Sequence, residues 1–535
     1  MEDIEKNVKP CLVQTAQGFT VSYKEKLLYS KYDPSKATNQ IIQNTQILPQ
    51  TVILCVSPVL SYGLRELAQK LPEDCIMLGC EYEDELYSFI QAKKSEDAAA
   101  GVFDDIHNFS FLTKQELLEF GPLLTKTNVT LQSGFTLPNP GTFRRIIRID
   151  FSAGAQFNSD LYDKVTENAV NALMTYWANR VTLVKFGRKY CTNFFKNLAV
   201  LPQTVPIQKY FAAVEKPIVV FGAGESVAEG IKKIKSQADG AASFFILCAD
   251  TALQPLAAEG IVPDGVFIEE AQNVISRCFI GMQNCDTHIF AGLSSIHSIT
   301  RFFKPEQISF FTTEFTQANF IERFNAAGVL PPQNLPFGSV GITAYYYATI
   351  FRRDDSIPIY TYGLDFAYSA GRTHTKGTMA DNARFINSCR LKPDTNFAAA
   401  FNETAFRDGS MYTTPILQRY RQMFDALRLS ERHCEAGQKQ SSGLFLVNLR
   451  TAMLRRAQVL QETLVIERET LLELKSLLTG EKKLPPAQQQ KEITKLISDR
   501  EYLYLHFPDG HKFAYTQSFL NRVRVEVEYF LKVLS

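Results

Sequence analysis

The sequence predicts an α/β protein with a central, doubly wound parallel sheet. Short apolar runs alternate with helical segments between about residues 210 and 425, and glycine-rich turns follow several of these runs. A dense polar cluster follows the last apolar run, within Ile359–Thr378. Alternating strands and helices are typical of a parallel sheet covered on both faces. Ligands of such sheets lie outside the carboxyl ends of the strands, so the polar cluster marks the expected site.

Composition limits the class of protein only loosely. A chain of 535 residues suggests roughly two to four domains. Because 57 Lys and Arg are balanced by 56 Asp and Glu, the net charge does not predict nucleic-acid binding. The ten cysteines never form CxxC, so we expect reduced thiols rather than a zinc site. The charged N-terminus and the lack of a run of about 20 apolar residues predict a cytoplasmic protein without a membrane span.

Residues 1–150 are expected to form an N-terminal α/β domain. The apolar patterning predicts strands at Val52–Val56 and Asp74–Cys80, and helices at Tyr62–Lys70 and from Glu83 onward. The turn after the first strand, SPVLSYG, has one glycine only, although a backbone can approach a pyrophosphate closely only where side chains are absent. We therefore interpret this half as a structural relic of a nucleotide-binding unit.

Two helical regions flank the central part of the chain. Residues 151–209 are a predicted helical connector, because apolar residues from Leu161 to Trp177 recur at helical spacing within 159–199. Residues 431–535 are a predicted C-terminal helical domain, with leucines at helical spacing amid dense charge and a proline-containing break at KLPPAQQQ. Binding a partner and packing on the body of the protein are both open roles for this region.

Residues 210–430 are the predicted central domain, with a Rossmann-like arrangement of strands and helices. Its strands are expected at Pro217–Phe221, Phe244–Ala249, Gly265–Glu269, Thr287–Ala291, Gln307–Phe311 and Pro358–Tyr362. Gly222 and Gly224 bracket the turn out of the first strand, and Glu225 or Ser226 is expected to cap the next helix. The amides at such a helix start can hold a phosphate, but a GxG lacking the third glycine also fits a plain strand–helix turn.

Further candidate ligand contacts follow the later strands. Asp250 and Thr251 end the second strand, where a polar side chain can reach a ribose or base. Glu269 and Glu270 end the third, and because adjacent strand residues point to opposite faces, paired metal ligation is not expected. Gly338, Ser339 and Gly341 begin another small-residue helix suited to an anion or a carboxylate.

The polar cluster contains a histidine suited to proton transfer. His374 is expected on an exposed loop, where a near-neutral pKa would let it accept or supply a proton. Asp365, Ser369, Arg372 and Thr373 precede it. A histidine with no chemical role is the alternative interpretation.

The order of these motifs resembles a known family. GAGES, ADTALQPLAAEGIVPD, GSVGITAYYYA and YGLDFAYSAGRTH are similar to motifs of the motility associated factor (Maf) glycosyltransferases, which carry a 6-hydroxymethylpterin pyrophosphokinase MptE-like domain. SKYDPSKATNQII and FRDGSMYTTPILQRYRQMFD extend the resemblance over residues 30–425. It implies a sialyltransferase-like sheet and a cytoplasmic enzyme that moves a nonulosonic acid, such as pseudaminic or legionaminic acid, from a CMP-activated donor. The acceptor would be a Ser or Thr of flagellin or another surface protein, as flagellar assembly and motility require.

The resemblance also implies roles for individual residues. Gly222, Gly224 and Ser226 would hold the donor phosphate, Asp250 and Thr251 the nucleoside, and Gly338 and Ser339 the cytidine or the sugar carboxylate. Asp365 would order the strand end and His374 would be the base, while Glu269 and Thr373 complete the expected donor-binding set. No permanently bound cofactor is implied. The CMP leaving group carries one phosphate, so a divalent metal is not strictly required.

Several motifs depart from the family pattern and leave alternatives open. Glu225 and Val227 replace the Pro and Leu of GxGPSL, PDGVFIEE replaces PDxxxxxD, and GLDF replaces GQDL. A carboxylate at a helix N-terminus can repel a donor phosphate. One alternative is a catalytically silent factor that binds flagellin for assembly. The other is a pterin pyrophosphokinase-like phosphotransferase that uses ATP and magnesium.

Overall fold

The computed structural model describes residues 9–535 except 100–105, 107, 127–128, 284, 314, 317, 392, 394–402 and 432–441. The chain divides into two compact units, Met1–Thr182 and Leu183–Ser535. The division falls inside one long helix, Ser159–Val200, which agrees with the helix predicted over 159–199. The four domain ranges expected from the sequence stay a prediction.

The first unit contains a parallel sheet and a small antiparallel one. Its elements are β1 (Cys11–Thr15), β2 (Gly18–Tyr23), β3 (Lys26–Leu27), α1 (Lys36–Asn44), β4 (Thr51–Val56), α2 (Leu64–Lys70), β5 (Ile76–Cys80), α3 (Asp84–Ala99), β6 (Phe109–Phe111), α4 (Lys114–Leu118), α5 (Phe120–Thr125), β7 (Arg145–Asp150) and α6 (Ser159–Val200). The antiparallel sheet has the order β1-β2-β3, and the parallel sheet has the order β6-β5-β4-β7.

The two strands and two helices predicted for this unit are confirmed. All six residues of β4 are buried, which explains why it reads as a continuous apolar run. Glu81, at the end of β5, is fully buried and accepts hydrogen bonds from the hydroxyls of Ser57 (2.5 Å) and Tyr162 (3.0 Å). The N–H groups of Tyr82 and Glu83 also donate to this carboxylate. These partners of the Glu81 carboxylate all belong to the first unit.

The second unit carries the predicted central sheet and the C-terminal helices. Its elements are β8 (Ile218–Phe221), α7 (Val227–Lys235), β9 (Phe245–Ala249), α8 (Leu253–Ala258), β10 (Gly265–Ile268), β11 (His288–Gly292), β12 (Ile308–Thr313), α9 (Asn319–Ala326), β13 (Gln333–Asn334), α10 (Val340–Phe351), β14 (Ile359–Tyr362), α11 (Met379–Asn387), β15 (Phe406–Asp408), β16 (Met411–Thr413), α12 (Pro415–Glu431), α13 (Ser442–Thr479), α14 (Pro486–Ser498) and α15 (Gln517–Val533).

The large sheet has seven parallel strands in the order β13-β12-β11-β10-β9-β8-β14. The chain proceeds from β8 to β13 in one direction and then returns to place β14 on the other side of β8. The topological switch point therefore lies between β8 and β14, where open α/β sheets bind ligands. All six predicted strands are confirmed, each within two residues of its predicted bounds. The predicted fold class is confirmed as α/β.

Alternate residues of these strands pack into two separate hydrophobic layers. Val220, Leu247 and Phe267 pack with α10 on one face. Their neighbours Val219 and Ile246 pack on the opposite face with the C-terminal part of α6 and with α7, α8, α9 and the C-terminal helices. Both faces are therefore covered, as a parallel sheet requires.

Within the second unit, a buried charged cluster connects the C-terminal helices to α9. Glu467 in α13 has no exposed surface and accepts from the guanidinium of Arg323 in α9 at 2.7 Å. It also accepts from Arg500 at 3.2 Å and from the hydroxyl of Tyr502 at 2.6 Å. A buried carboxylate is stable only when it is paired and hydrogen-bonded in this way.

Two further predictions concern disulfide bonds and membrane-spanning helices. Across the described ranges, nine cysteines are present and each is free of a disulfide. None of the described helices combines the length and the apolar character that a membrane crossing would need.

Candidate functional site

Two glycine turns meet at the switch point of the large sheet. The N–H of Gly222, after β8, donates to the carbonyl of Tyr362 at 2.8 Å, and the N–H of Gly224 donates to the carbonyl of Gly363 at 2.9 Å. A Cβ at Gly222 would collide with the Gly363 carbonyl oxygen. Gly363 itself has φ +72°, and its own Cβ would lie 2.6 Å from the Gly222 oxygen. Both residues must therefore be glycine for the two turns to touch.

The start of α7 is capped by a carboxylate from the β14 loop. Asp365 accepts from the N–H of Ser226 at 3.0 Å and also from the Ser226 hydroxyl. The same hydroxyl accepts from the N–H of Gly363 at 2.6 Å. A side-chain cap from Glu225 or Ser226 was expected here, but neither forms one, and Asp365 takes that role from another strand. The positive end of α7 thus already faces an anion.

Glu225 points away from this helix start. Its carboxylate accepts from the N–H of Ser369 at 2.8 Å and from the Ser369 hydroxyl at 2.5 Å. The acidic residue of the GAGES turn therefore holds the loop after β14, and it is Asp365 that binds the N–H of Ser226, the N-cap residue of α7. The predicted phosphate contact by Gly222, Gly224 and Ser226 would have to share this space with Asp365.

A second helix start lies beside the glycine turns. Ser339 is the N-cap residue of α10, and its side chain makes no capping hydrogen bond. A Cβ at Gly341, in the first turn of α10, would lie 3.5 Å from the Gly222 Cα and would collide with Leu364. Gly338 has φ +72° and packs against the ring of Tyr420. The uncapped amides of α10 are thus placed at the same edge of the sheet as the switch point.

Asp250 and Thr251 follow β9 and are held together. The Asp250 carboxylate accepts from the N–H of Thr251 at 2.6 Å and from its hydroxyl at 2.9 Å, both at Oδ1. The other oxygen, Oδ2, is buried and has no hydrogen-bond partner among the described residues. Burial raises the pKa of Asp250 to about 7, helped by the nearby carboxylates of Glu270 and Glu269. Asp250 therefore holds its proton to a higher pH than an ordinary aspartate does.

The two acidic residues after β10 face opposite sides, as predicted. Glu269 accepts from the hydroxyl of Thr313 at 2.6 Å and from that of Thr343, in α10, at 2.7 Å. Burial raises the pKa of Glu269. Glu270 instead accepts from the N–H of Gln272 at 2.9 Å. Burial raises the pKa of Tyr190, on α6, with a smaller effect from the charge of Glu270. In the described part of the chain, no group of three or more His, Cys, Asp or Glu side chains is arranged to hold a metal ion.

The loop with His374 returns to the GAGES turn. The N–H of Thr375 donates to the carbonyl of Ala223 at 2.9 Å. The hydroxyl of Thr373 lies 3.1 Å from His374 Nδ1. His374 is half-buried rather than exposed as expected, and this burial lowers its pKa below the ordinary value, with a smaller effect from Arg384. The ring is therefore neutral at physiological pH and able to accept a proton.

An open cleft of about 640 Å³ borders the same turn. We call it the α7 cleft, and it is lined by Glu225, Ser226, Ala228, Glu229, Lys232, Asp365, Ala367, Asp408, Met411 and Arg421. Arg421, in α12, forms an ion pair with Asp408 at 2.8 Å and donates to the Asp365 carbonyl at 3.2 Å.

The structure brings the predicted residues Gly222, Gly224, Ser226 and Asp365 into direct contact, with α10 and the His374 loop adjoining them. Their assigned roles stay predictions. Sequence reasoning missed the β15–β16 hairpin that supplies Asp408 and Met411. Its two-residue turn, Gly409 and Ser410, between short runs of strand-forming residues was the available signal.

Comparison with known proteins fits this geometry. Residues 192–371 match the family model described as 6-hydroxymethylpterin diphosphokinase MptE-like. The solved structure of MAf glycosyltransferase from Magnetospirillum magneticum AMB-1 aligns with a TM-score of 0.53 and 11% identity, over 98% of this chain and 91% of that one. The resemblance is confirmed. The MptE-like segment contains the glycine turns, Asp250 and the start of α10, and it ends shortly before Thr373 and His374.

A sequence relative extends over almost the whole chain. An uncharacterized protein of Treponema pallidum (strain Nichols) is 28% identical over 575 aligned positions, which cover 99% of this chain and 96% of that protein. The Maf likeness, at 11% identity, establishes the fold that the two chains share.

Proposed function

We propose that this protein is a glycosyltransferase. It moves a nonulosonic acid of the pseudaminic or legionaminic type from a CMP-activated donor to a Ser or Thr hydroxyl of flagellin or another surface protein. The reaction takes place in the cytoplasm before the acceptor is exported. The observation that carries this proposal is the switch-point crevice, in which two touching glycine turns, an uncapped helix start and a neutral histidine meet in a Maf-like fold.

The donor is an anion, and the two helix starts offer it different environments. The amide of Ser226 at the start of α7 already binds the Asp365 carboxylate. Ser339 makes no side-chain cap at the start of α10, and the amides of Ile342 and Thr343 donate to its carbonyl, so we assign the amides of Val340 and Gly341 to the donor phosphate or sugar carboxylate. We therefore place the charged part of the donor at Gly338 and Ser339. Asp250 and Thr251 lie on the nucleoside side of the crevice.

The transfer requires a base and a leaving group. The acceptor hydroxyl oxygen forms the new bond to the anomeric carbon of the sugar, and the bond to the CMP phosphate oxygen breaks with its electron pair. His374 takes the hydroxyl proton, because its pKa is lowered and the ring is neutral at physiological pH. CMP leaves as a phosphate monoester, so the step needs no metal clamp on a diphosphate.

A thermal-shift panel tests this proposal. CMP, CDP, UDP, ADP and ATP are each added with and without magnesium, and a ligand at about 100 times its Kd stabilises the fold by roughly 2.7 kcal/mol. We expect stabilisation by CMP and CDP that does not depend on magnesium. Two variants locate the site: Ser339→Asp adds a negative charge beside the amides of Val340 and Gly341, and Ser339→Asn is its neutral match in size.

The outcomes separate the candidate functions. Loss of CMP stabilisation in Ser339→Asp but not in Ser339→Asn supports the donor site at α10. Magnesium-dependent stabilisation by ATP would instead favour a phosphotransferase like the diphosphokinase that gives the MptE-like family its description. No response to any nucleotide would favour a catalytically silent flagellin-binding factor, for which the occupied start of α7 is the supporting observation. Release of CMP from a CMP-activated sugar in the presence of flagellin is the direct assay.

A further inference from the structure

The α7 cleft is separate from the start of α10, and the proposed donor contacts at α10 do not line it. Its walls come from the first turns of α7, the loop after β14, the β15–β16 hairpin and α12. Ser226 and Asp365 line the cleft and also belong to the polar network at the switch point. A volume of about 640 Å³ is within the range of known ligand pockets, roughly 300–1,000 Å³.

The charges that line this cleft are mostly negative. Four carboxylates face two cations, which leaves a net charge of −2. Arg421 is already paired with Asp408 at 2.8 Å. Among the described residues, the Glu225 and Asp365 carboxylates accept from neutral donors of Ser369 and Ser226, which do not offset their negative charge. Glu229 is exposed on α7 and adds a fourth carboxylate at the rim.

The helix dipole does not offset this negative field. The positive end of α7 faces the cleft, but the N–H of its N-cap residue, Ser226, is bound to Asp365, and the amides of Val227 and Ala228 donate to backbone carbonyls. A CMP-activated nonulosonic acid carries a phosphodiester and a carboxylate, so the cleft repels the donor. A polypeptide in which Lys or Arg lies near a Ser or Thr carries positive charge, so the negatively charged cleft attracts it.

We propose that the α7 cleft binds the acceptor polypeptide and selects a Ser or Thr flanked by Lys or Arg. This inference rests on the proposed transferase function. It gives the two substrates separate approaches: the anionic donor occupies the start of α10, and the basic acceptor enters along α7. Ser226 and Asp365 line the cleft and also belong to the switch point, so this is where the acceptor hydroxyl meets the donor. The apolar surfaces of Ala228, Ala367 and Met411 provide contact for the peptide backbone and side-chain stems.

Peptide binding to the full chain tests the proposal. Two short fluorescein-labelled peptides contain one central Ser, flanked by Lys in one and by Glu in the other, and their affinities are measured by fluorescence anisotropy at low salt. We expect the Lys peptide to bind roughly three- to ten-fold more tightly. Glu229→Gln should weaken the Lys peptide about two- to five-fold, and added salt should reduce the difference between the peptides.

A matched variant controls for the general loss of a negative charge. Glu322→Gln removes an exposed carboxylate from α9, away from the cleft lining, and should leave both affinities unchanged. Equal binding of the two peptides, or equal effects of Glu229→Gln and Glu322→Gln, would overturn the proposal. CMP stabilisation is measured on the same samples. Peptide selectivity without any nucleotide response would refute the transferase function but support the cleft as a site for basic polypeptides.

Discussion

The Asp365 carboxylate accepts hydrogen bonds from the backbone N–H of Ser226, at 3.0 Å, and from its hydroxyl, across 139 residues of sequence. Ser226 in turn accepts from the N–H of Gly363 at 2.6 Å. These bonds join the turn after β8 to the turn after β14. The geometry of the switch point therefore depends on one short polar network.

Asp365→Asn should weaken this network. The amide keeps the shape of the side chain, but it loses the charge and turns an N–H₂ group toward one of the two donors of Ser226. We expect a loss of about 1–2 kcal/mol in the free energy of unfolding, measured with urea. Asp408→Asn is the matched control, since its ion pair with Arg421 is exposed and should contribute less than about 1 kcal/mol. Equal losses in the two variants would contradict a special role for Asp365.

Asp250→Asn should change the pH dependence of stability. The pKa of this carboxyl is raised to about 7 in the folded protein, from 3.8 in the unfolded chain. Between these values the folded state keeps a proton that the unfolded state has lost, so the contribution of Asp250 to stability falls as pH rises, by up to about 1.4 kcal/mol per pH unit.

Asp250→Asn removes this titrating carboxyl. Its free energy of unfolding should therefore rise relative to that of the wild-type chain as pH rises from about 4 to 7. Urea unfolding from pH 4 to 8 measures the difference. Asp239→Asn, an exposed acid, is the control and should follow the wild-type curve. A constant difference between the Asp250→Asn and wild-type curves over this range would show that Asp250 keeps an ordinary pKa.

His374→Gln should abolish transfer without preventing acceptor binding. Loss of a general base lowers kcat by roughly 10²–10⁴-fold. In the wild-type protein, burial lowers the pKa of His374, so the acidic limb of the kcat profile should lie below pH 6.5. The pH profile of CMP release checks this, together with peptide binding to the variant. An unchanged kcat in His374→Gln would exclude this residue as the base.

Glu467→Gln should destabilise the C-terminal helices. The substitution removes the negative charge between the guanidinium groups of Arg323 and Arg500 in a site with no exposed surface. Breaking a buried ion pair costs about 3–5 kcal/mol, measurable as a lower unfolding midpoint. Glu473→Gln, on the same helix, breaks only an exposed pair with Lys482 and should cost less than about 1 kcal/mol. Comparable losses would show that the cluster contributes no more than a surface pair.

The strands of the large sheet could be predicted because both of their faces are covered. A buried parallel strand such as Ile218–Phe221 reads as a continuous apolar run, and the run ends where the strand ends. The short strand Gln333–Asn334 could not be found in this way. It has two residues, one of them exposed, so it leaves no apolar pattern in the sequence.

The candidate site was only partly visible in the sequence. The positions of the glycine turns and the polar loop could be predicted from the sequence. Small residues after a strand indicate that a ligand or another part of the chain lies close to the backbone. What approaches Gly222 is the carbonyl of Gly363, and what approaches Gly224 is the carboxylate of Asp365. A glycine accommodates a neighbouring turn and a phosphate by the same means, the absence of a side chain, so the sequence alone does not distinguish them.

The sequence was enough to predict the α/β class, six of the seven strands of the large sheet and the place along the chain where polar groups follow buried strands. These features depend on local patterns of apolar and small residues. The packing of the folded chain was needed to show that Asp365, not Glu225, faces the start of α7, and that Glu225 instead binds Ser369. Those contacts join residues that are more than a hundred positions apart, and they are set by the packing of β14 beside β8.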